Sequence, residues 1–147
     1  MEGQTNKLLI VGGALSGVAA LAHLACLVVG APLFRLLGAG EQMARLHAEG
    51  SWHPTVVTLA IATVLATWGA YALSAAGVFR PFPLRRTVLT AVTGIYIVRG
   101  VAFVPVMACF PGNSLTFWVM SSATCLAIGL HLVGLRQSWS RLRRLEA

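Results

Sequence analysis

Four stretches of the chain are apolar over lengths that suit a lipid bilayer: residues 8–33, 54–79, 87–110 and 115–135. A helix needs about 20 apolar residues to cross a hydrocarbon core of roughly 30 Å. Backbone N–H and C=O groups find no water in lipid, so spanning segments must satisfy them internally. No stretch alternates with period two, which leaves helices. Composition supports the same reading. The chain is 57% hydrophobic and 10% charged and contains no aspartate, so it lacks the polar residues that would cover a soluble domain of this size. The expected fold is an all-α membrane protein, an antiparallel four-transmembrane-helix bundle. It forms one integral membrane domain over residues 1–147.

Punctuation falls between the stretches. Pro54 suits the first turn of a helix. Pro81 and Pro83 interrupt the chain after the second stretch, and Pro111-Gly112-Asn113 makes a turn after the third. The first stretch is longer than the apolar core of a signal peptide and is read as a retained span. Orientation follows from basic residues in the short connections. Lys7, Arg80, Arg85, Arg86, Arg136, Arg141, Arg143 and Arg144 lie on one side, against Arg35 and Arg45 on the other. Both termini are therefore expected in the cytoplasm, with the protein in a bacterial inner (plasma) membrane. The net charge of +7 then points to anionic lipid headgroups at a basic cytoplasmic rim, and not to nucleic acid. Trp52 and Trp118 fall near the outer boundary and Trp139 near the inner one, where aromatic belts form.

Small residues are the natural helix contacts in lipid. The first span offers Gly13 and Gly17, with Gly12, Ser16 and Ala20 on the adjacent ridge. The second places Thr63, Thr67, Ala70 and Ser74 on one face, and the fourth carries Ser121, Ser122, Thr124, Cys125 and Gly129. Such stripes serve contacts within one bundle or between subunits. The three cysteines, Cys26, Cys109 and Cys125, form no CxxC motif and read as small core residues.

The connection after the first span is the longest. Glu41 to Glu49 predicts a short amphipathic helix on the membrane surface, with Glu41, Arg45 and Glu49 at i, i+4 and i+8. His47, Glu49 and His53 have zinc-binding chemistry, but helical zinc motifs space their ligands at i and i+4, and these residues do not. No metal is expected there. A solvated, ion-paired helix face is the plain alternative.

Arg99 is the residue that demands an explanation. It is the thirteenth of the twenty-four residues in the third stretch, about 18 Å from either end. An arginine at the centre of a membrane helix costs about 2.5–3.5 kcal/mol on the lenient scale. No Asp or Glu lies in any span. Three sources of compensation are open. The first is neutral groups such as Tyr96 or the Val101 carbonyl, which Pro105 leaves free. The second is Glu41 or Glu49 folding inward from the outer loop. The third is a foreign partner: water, a bound anion or an acid on another protein. His23 is near the depth of Arg99 and completes the candidate cluster of Arg99, Tyr96, His23 and Glu41. His23 and His131 are the right residues for a haem, but their levels differ by about 15 Å, so no cofactor is expected.

The resulting expectation is a small, non-enzymatic membrane protein that binds or transports an anionic small molecule or lipid headgroup around Arg99. An accessory subunit or homo-oligomer, with Arg99 meeting an acid on a partner membrane protein, is the second reading. A membrane enzyme using the outer-loop His and Glu residues is the third. The chain has no GxSxG, HExxH or paired intramembrane carboxylates to support it.

Overall fold

The computed structural model describes residues 6–102, 115–129 and 131–146. All of its elements are helices, with no strand among the described residues: α1 (Lys7–Val29), α2 (Ala31–Leu36), α3 (Gly40–Ala48), α4 (Trp52–Ala76), α5 (Arg85–Val101), α6 (Leu115–Ile128) and α7 (His131–Glu146). Three stretches are long and apolar enough to cross a membrane: Lys7–Val29, Trp52–Ala76 and Phe117–Ser140, the last covering most of α6 and α7. The described part of α5 has 17 residues, about 25 Å of helix. The remainder of the third expected span, to residue 110, lies outside the described residues.

Local chemistry explains the helix ends. Asn6 caps α1, its Oδ1 accepting from Leu8 N–H at 3.1 Å and Leu9 N–H at 3.2 Å. α1 stops short of the expected residue 33 because Gly30 adopts φ 79°, ψ −145°, a conformation open essentially to glycine. Pro32 then sits in the first turn of α2. α4 ends in a Schellman closure at Gly77, with Val78 N–H to Leu73 O at 3.0 Å and Gly77 N–H to Ser74 O at 3.1 Å. Ser74 also ties down the connection to α5. Its hydroxyl donates to Arg80 O at 2.8 Å and accepts from Phe82 N–H at 3.0 Å.

α1 and α4 cross with their backbones in close approach. A Cβ built on Gly13 would lie 3.0 Å from the Gly69 carbonyl oxygen, and one on Gly69 would lie 2.9 Å from that of Gly13. Ser16 and Ala20 on α1, with Ala62 and Ala72 on α4, are buried in the same region. Small side chains let the backbones approach, the main source of helix association in lipid. The face of α4 expected from sequence to make contacts is partly turned outward. Thr63 and Thr67 are exposed, and Thr67 donates its hydroxyl to the Thr63 carbonyl at 2.8 Å. A threonine that bonds back to its own helix presents a satisfied surface to lipid.

α7 extends past the expected end of the fourth span at residue 135. His131, Gly134, Leu135, Ser138 and Leu142 are all buried, at the three-four spacing of a helix seam. Leu142 joins Leu9, Ala72, Ala75, Ala76, Leu89 and Leu135 in one core, so α7 is held against α1, α4 and α5 to that depth. Asn6 fastens the same end, donating from Nδ2 to Gly134 O and to Ser138 Oγ, each at 2.8 Å. A second core at the opposite end of α1, formed by Cys26, Phe34 and Ala44, folds α2 and α3 back onto it. The short helix expected over 41–49 is α3.

Candidate functional site

Arg99 lies in the last turns of α5, where α5 packs on α6. A Cβ on Gly100 would meet Leu126 Cγ at 2.8 Å, and one on Gly129 would meet Ile97 Cγ1 at 3.4 Å. This close crossing brings the guanidinium to the face of α6 that carries Trp118, Ser122 and Cys125, at i, i+4 and i+7. Arg99 Cζ sits 5.2 Å from the centroid of the Trp118 ring, within the range of a cation–π contact.

Buried polar atoms without partners accumulate here. Arg99 Nη1 is buried and has no hydrogen-bond partner among the described residues, and the same holds for Trp118 Nε1 and Ser122 Oγ. Trp118 is 2% exposed and Ser122 6%. Each buried, unpaired polar group costs roughly 1–3 kcal/mol, and more when charged. Trp118 Nε1–H and the guanidinium can only donate, whereas the Ser122 hydroxyl can donate or accept.

An open, shallow groove of about 510 Å³ runs along α5, lined by Ala91, Gly94, Ile95, Val98, Arg99 and Ala102. A Cβ at Gly94 would meet nothing within 4 Å. The lining surface is almost wholly apolar, so Arg99 contributes its aliphatic stem there.

The residues singled out from the sequence are distributed differently from the expected cluster. Tyr96, one turn before Arg99, is 4% exposed. Its hydroxyl shares a hydrogen bond with Ser16 Oγ at 3.2 Å. Its ring stands edge-on to Trp68, with centroids 5.3 Å apart, and 6.2 Å from the His131 ring. His131, and not His23, is thus the histidine beside Tyr96. His23 donates or accepts through Nδ1 at the Ala19 carbonyl of its own helix, at 2.8 Å. His131 lies over Gly12, eleven residues or about 16 Å from His23 along α1. Glu41 is engaged elsewhere. Arg35 grips it with a two-pronged pair, Nε to Oε2 at 2.6 Å and Nη2 to Oε1 at 2.8 Å. Both side chains are more than half exposed. Chiefly through these hydrogen bonds, Arg35 holds the Glu41 carboxyl below its ordinary value.

The other polar residues between α1 and the start of α4 also have structural neighbours. His47 packs on Phe34, ring centroids 5.1 Å apart, and His53 lies edge-on to Trp52 at 6.3 Å. Among the described residues no three His, Cys, Asp or Glu side chains converge as a metal-binding set. Trp118 and Ser122 were not marked as site residues by sequence reasoning. The available signal was their i, i+4 spacing on a helix that follows an arginine-bearing one. No protein-family model matches the chain, and neither curated proteins nor solved structures yield a match to it.

Proposed function

We propose that the protein crosses a bacterial plasma membrane four times, with the apolar stretch that contains α5 as the third crossing, and binds or moves an anionic group at Arg99. Both termini lie in the cytoplasm in this reading, which rests on the excess of Lys and Arg at that end of the bundle. Arg86, stacked over Trp139 at 4.2 Å, and its basic neighbours form a rim for anionic headgroups. The observation that carries the reading is the buried Arg99 Nη1 with no hydrogen-bond partner among the described residues, in a chain whose acids are Glu2, Glu41, Glu49 and Glu146. Glu41 is occupied by Arg35, and the other three fall outside every apolar stretch. An anion at Arg99 supplies both the missing charge and the missing acceptor.

The test is native mass spectrometry of the protein released from membranes in an uncharged detergent. Wild type retains an anionic adduct, and Arg99→Gln loses it while keeping the same helical circular dichroism. Equal retention by the two proteins refutes the reading. Fusing topology reporters to each terminus checks the orientation. The second reading, an accessory subunit whose partner brings an acid to Arg99, draws on the same Nη1, which has no hydrogen-bond partner among the described residues. It predicts a co-purifying polypeptide in place of a small adduct. The enzymatic reading gains nothing, because Glu41 and His47 are engaged in an ion pair and in ring packing.

A further inference from the structure

Independently of any ligand at Arg99, we infer that His131 is a proton-triggered latch: when its imidazole takes up a proton, the seam between α7 and α1 opens and admits water. His131 is 0% exposed, and neither ring nitrogen has a hydrogen-bond partner among the described residues. The ring lies on the Gly12 backbone without closing a bond to it, and the Tyr96 ring is 6.2 Å away. A neutral imidazole carries one donor and one acceptor, and here both are desolvated without return. A phenylalanine or leucine fills such a place at no polar cost, so packing does not explain a histidine. What sets histidine apart is a change of charge near neutral pH.

No described group around the ring can hold that charge. From α5 it faces Tyr96, with Arg99 one turn on, and Cys125 of α6 packs in the same cluster as Tyr96. From α1 it faces Gly12. One turn further is Ser16, whose hydroxyl shares a hydrogen bond with that of Tyr96 at 3.2 Å, and the exposed Lys7 lies at the start of the helix. α4 sets Trp68 against Tyr96, and its Tyr71 packs on Phe82. Arg136 of α7 itself is exposed. All of these are neutral or positive at neutral pH. Glu41 and Glu49 belong to α3 and its end, folded against the far end of α1. Glu146 ends α7, about 22 Å along the helix from His131, and Glu2 lies outside the described residues. An imidazolium in the closed seam is therefore a buried cation without a counter-ion, and parting α7 from α1 gives it water. The polar contacts that close the seam are neutral: Asn6 Nδ2 donates to Gly134 O and Ser138 Oγ, each at 2.8 Å. Neutral hydrogen bonds exchange for water at little net cost. The α1–α4 crossing at Gly13 and Gly69 does not involve His131 and stays closed.

The experiment follows amide hydrogen exchange of the full chain in nanodiscs of uncharged phosphatidylcholine, from about pH 8 to about pH 5, the window in which histidine changes charge. Wild type is compared at each pH with His131→Phe and His131→Gln, which cancels the pH dependence of the exchange chemistry itself. Glutamine covers the case in which phenylalanine overfills the seam. A hydrated imidazole takes up its proton near pH ~6.5, so the open fraction of wild type should rise about tenfold per pH unit below that, roughly 30-fold by about pH 5. The rise relative to both variants is expected at amides of α7 and of α1 around Gly12. Amides of α4 around Gly69 should not change, and protection should return at the starting pH. Nitrogen-15 spectra of the imidazole should show protonation in step with this exchange. The same pH dependence in wild type and both variants overturns the latch, and so does an imidazole that is protonated while the α7 amides stay protected. An equal rise around Gly69, or protection that does not return, shows acid unfolding of the whole bundle and overturns it as well.

Discussion

The imidazole of His131 lies against the backbone of Gly12, filling the space that a Cβ on Gly12 would need. His131 is fully buried, so the ring has nowhere to retreat. Glycine at position 12 is therefore a condition for α7 to sit on α1.

Gly12→Ala is expected to destabilise the protein by about 1–3 kcal/mol, the range for overpacking a tight contact. The measurement is unfolding in detergent followed by circular dichroism. His131→Ala added to Gly12→Ala should recover part of the loss, giving a coupling of roughly 0.5–3 kcal/mol in a double-mutant cycle. Additive effects would mean that the two residues do not touch.

The Gly13–Gly69 crossing allows a cleaner comparison within the same helix pair. A methyl at Gly69 meets a backbone carbonyl at 2.9 Å, whereas one at Gly17 meets nothing within 4 Å. A backbone oxygen cannot swing aside as a side chain can. Gly69→Ala should cost about 1–3 kcal/mol. Gly17→Ala should leave stability unchanged or raise it by roughly 0.5–1 kcal/mol, because alanine loses less entropy in a helix. The pair can be compared by resistance to denaturing detergent. Equal effects would place the α1–α4 crossing elsewhere.

Much of this architecture was legible in the sequence, because lipid allows few solutions. Long apolar runs must be helices, glycine and proline mark their ends, and three of the four expected crossings have helices of sufficient length. The face of each helix was harder to read. Thr63 and Thr67 resemble contact residues, yet a threonine can bond its own helix, as Thr67 does, and then face lipid at no cost. The seam of α7 was hidden for a different reason. Arg136, Arg141, Arg143 and Arg144 crowd the region after Leu135, and their charge conceals the three-four spacing that buries Ser138 and Leu142. Arg99 and Tyr96 stand out in the sequence through their rarity in an apolar run. Their neighbours do not, since which histidine meets Tyr96 depends on helix rotation. Ser16 and His131 are brought there by the Gly12 and Gly13 crossings.

The Arg35–Glu41 pair predicts a pH dependence confined to the α2–α3 region. Arg35 lowers the Glu41 carboxyl below its ordinary value. The pair's contribution is thus present from neutral pH down to the ordinary glutamate range. It is lost as pH falls further, through the lowered value of the folded protein. Both side chains are largely exposed, so screening keeps the effect small and salt-sensitive. Hydrogen exchange of the α2 and α3 amides should accelerate on acidification in wild type and change less in Glu41→Gln. Global unfolding should hardly respond. Equal acid sensitivity in the two proteins would place the titration elsewhere.

Trp118 separates the two roles of its side chain. Its ring face supports Arg99 at 5.2 Å, while its Nε1–H is buried without an acceptor among the described residues. Trp118→Phe keeps an aromatic face and removes the donor. In protein stripped of anionic lipid, this change should be neutral or stabilising by up to about 1–3 kcal/mol, because an unsatisfied buried donor disappears. Trp118→Leu loses the ring face as well and should destabilise. Ligand binding raises apparent stability in proportion to affinity, so adding phosphatidylglycerol should raise the melting temperature of wild type more than that of Trp118→Phe. If the indole N–H has no part in holding the anion, the lipid-induced shift will be the same for both proteins, and the acceptor at this site then answers to Arg99 alone.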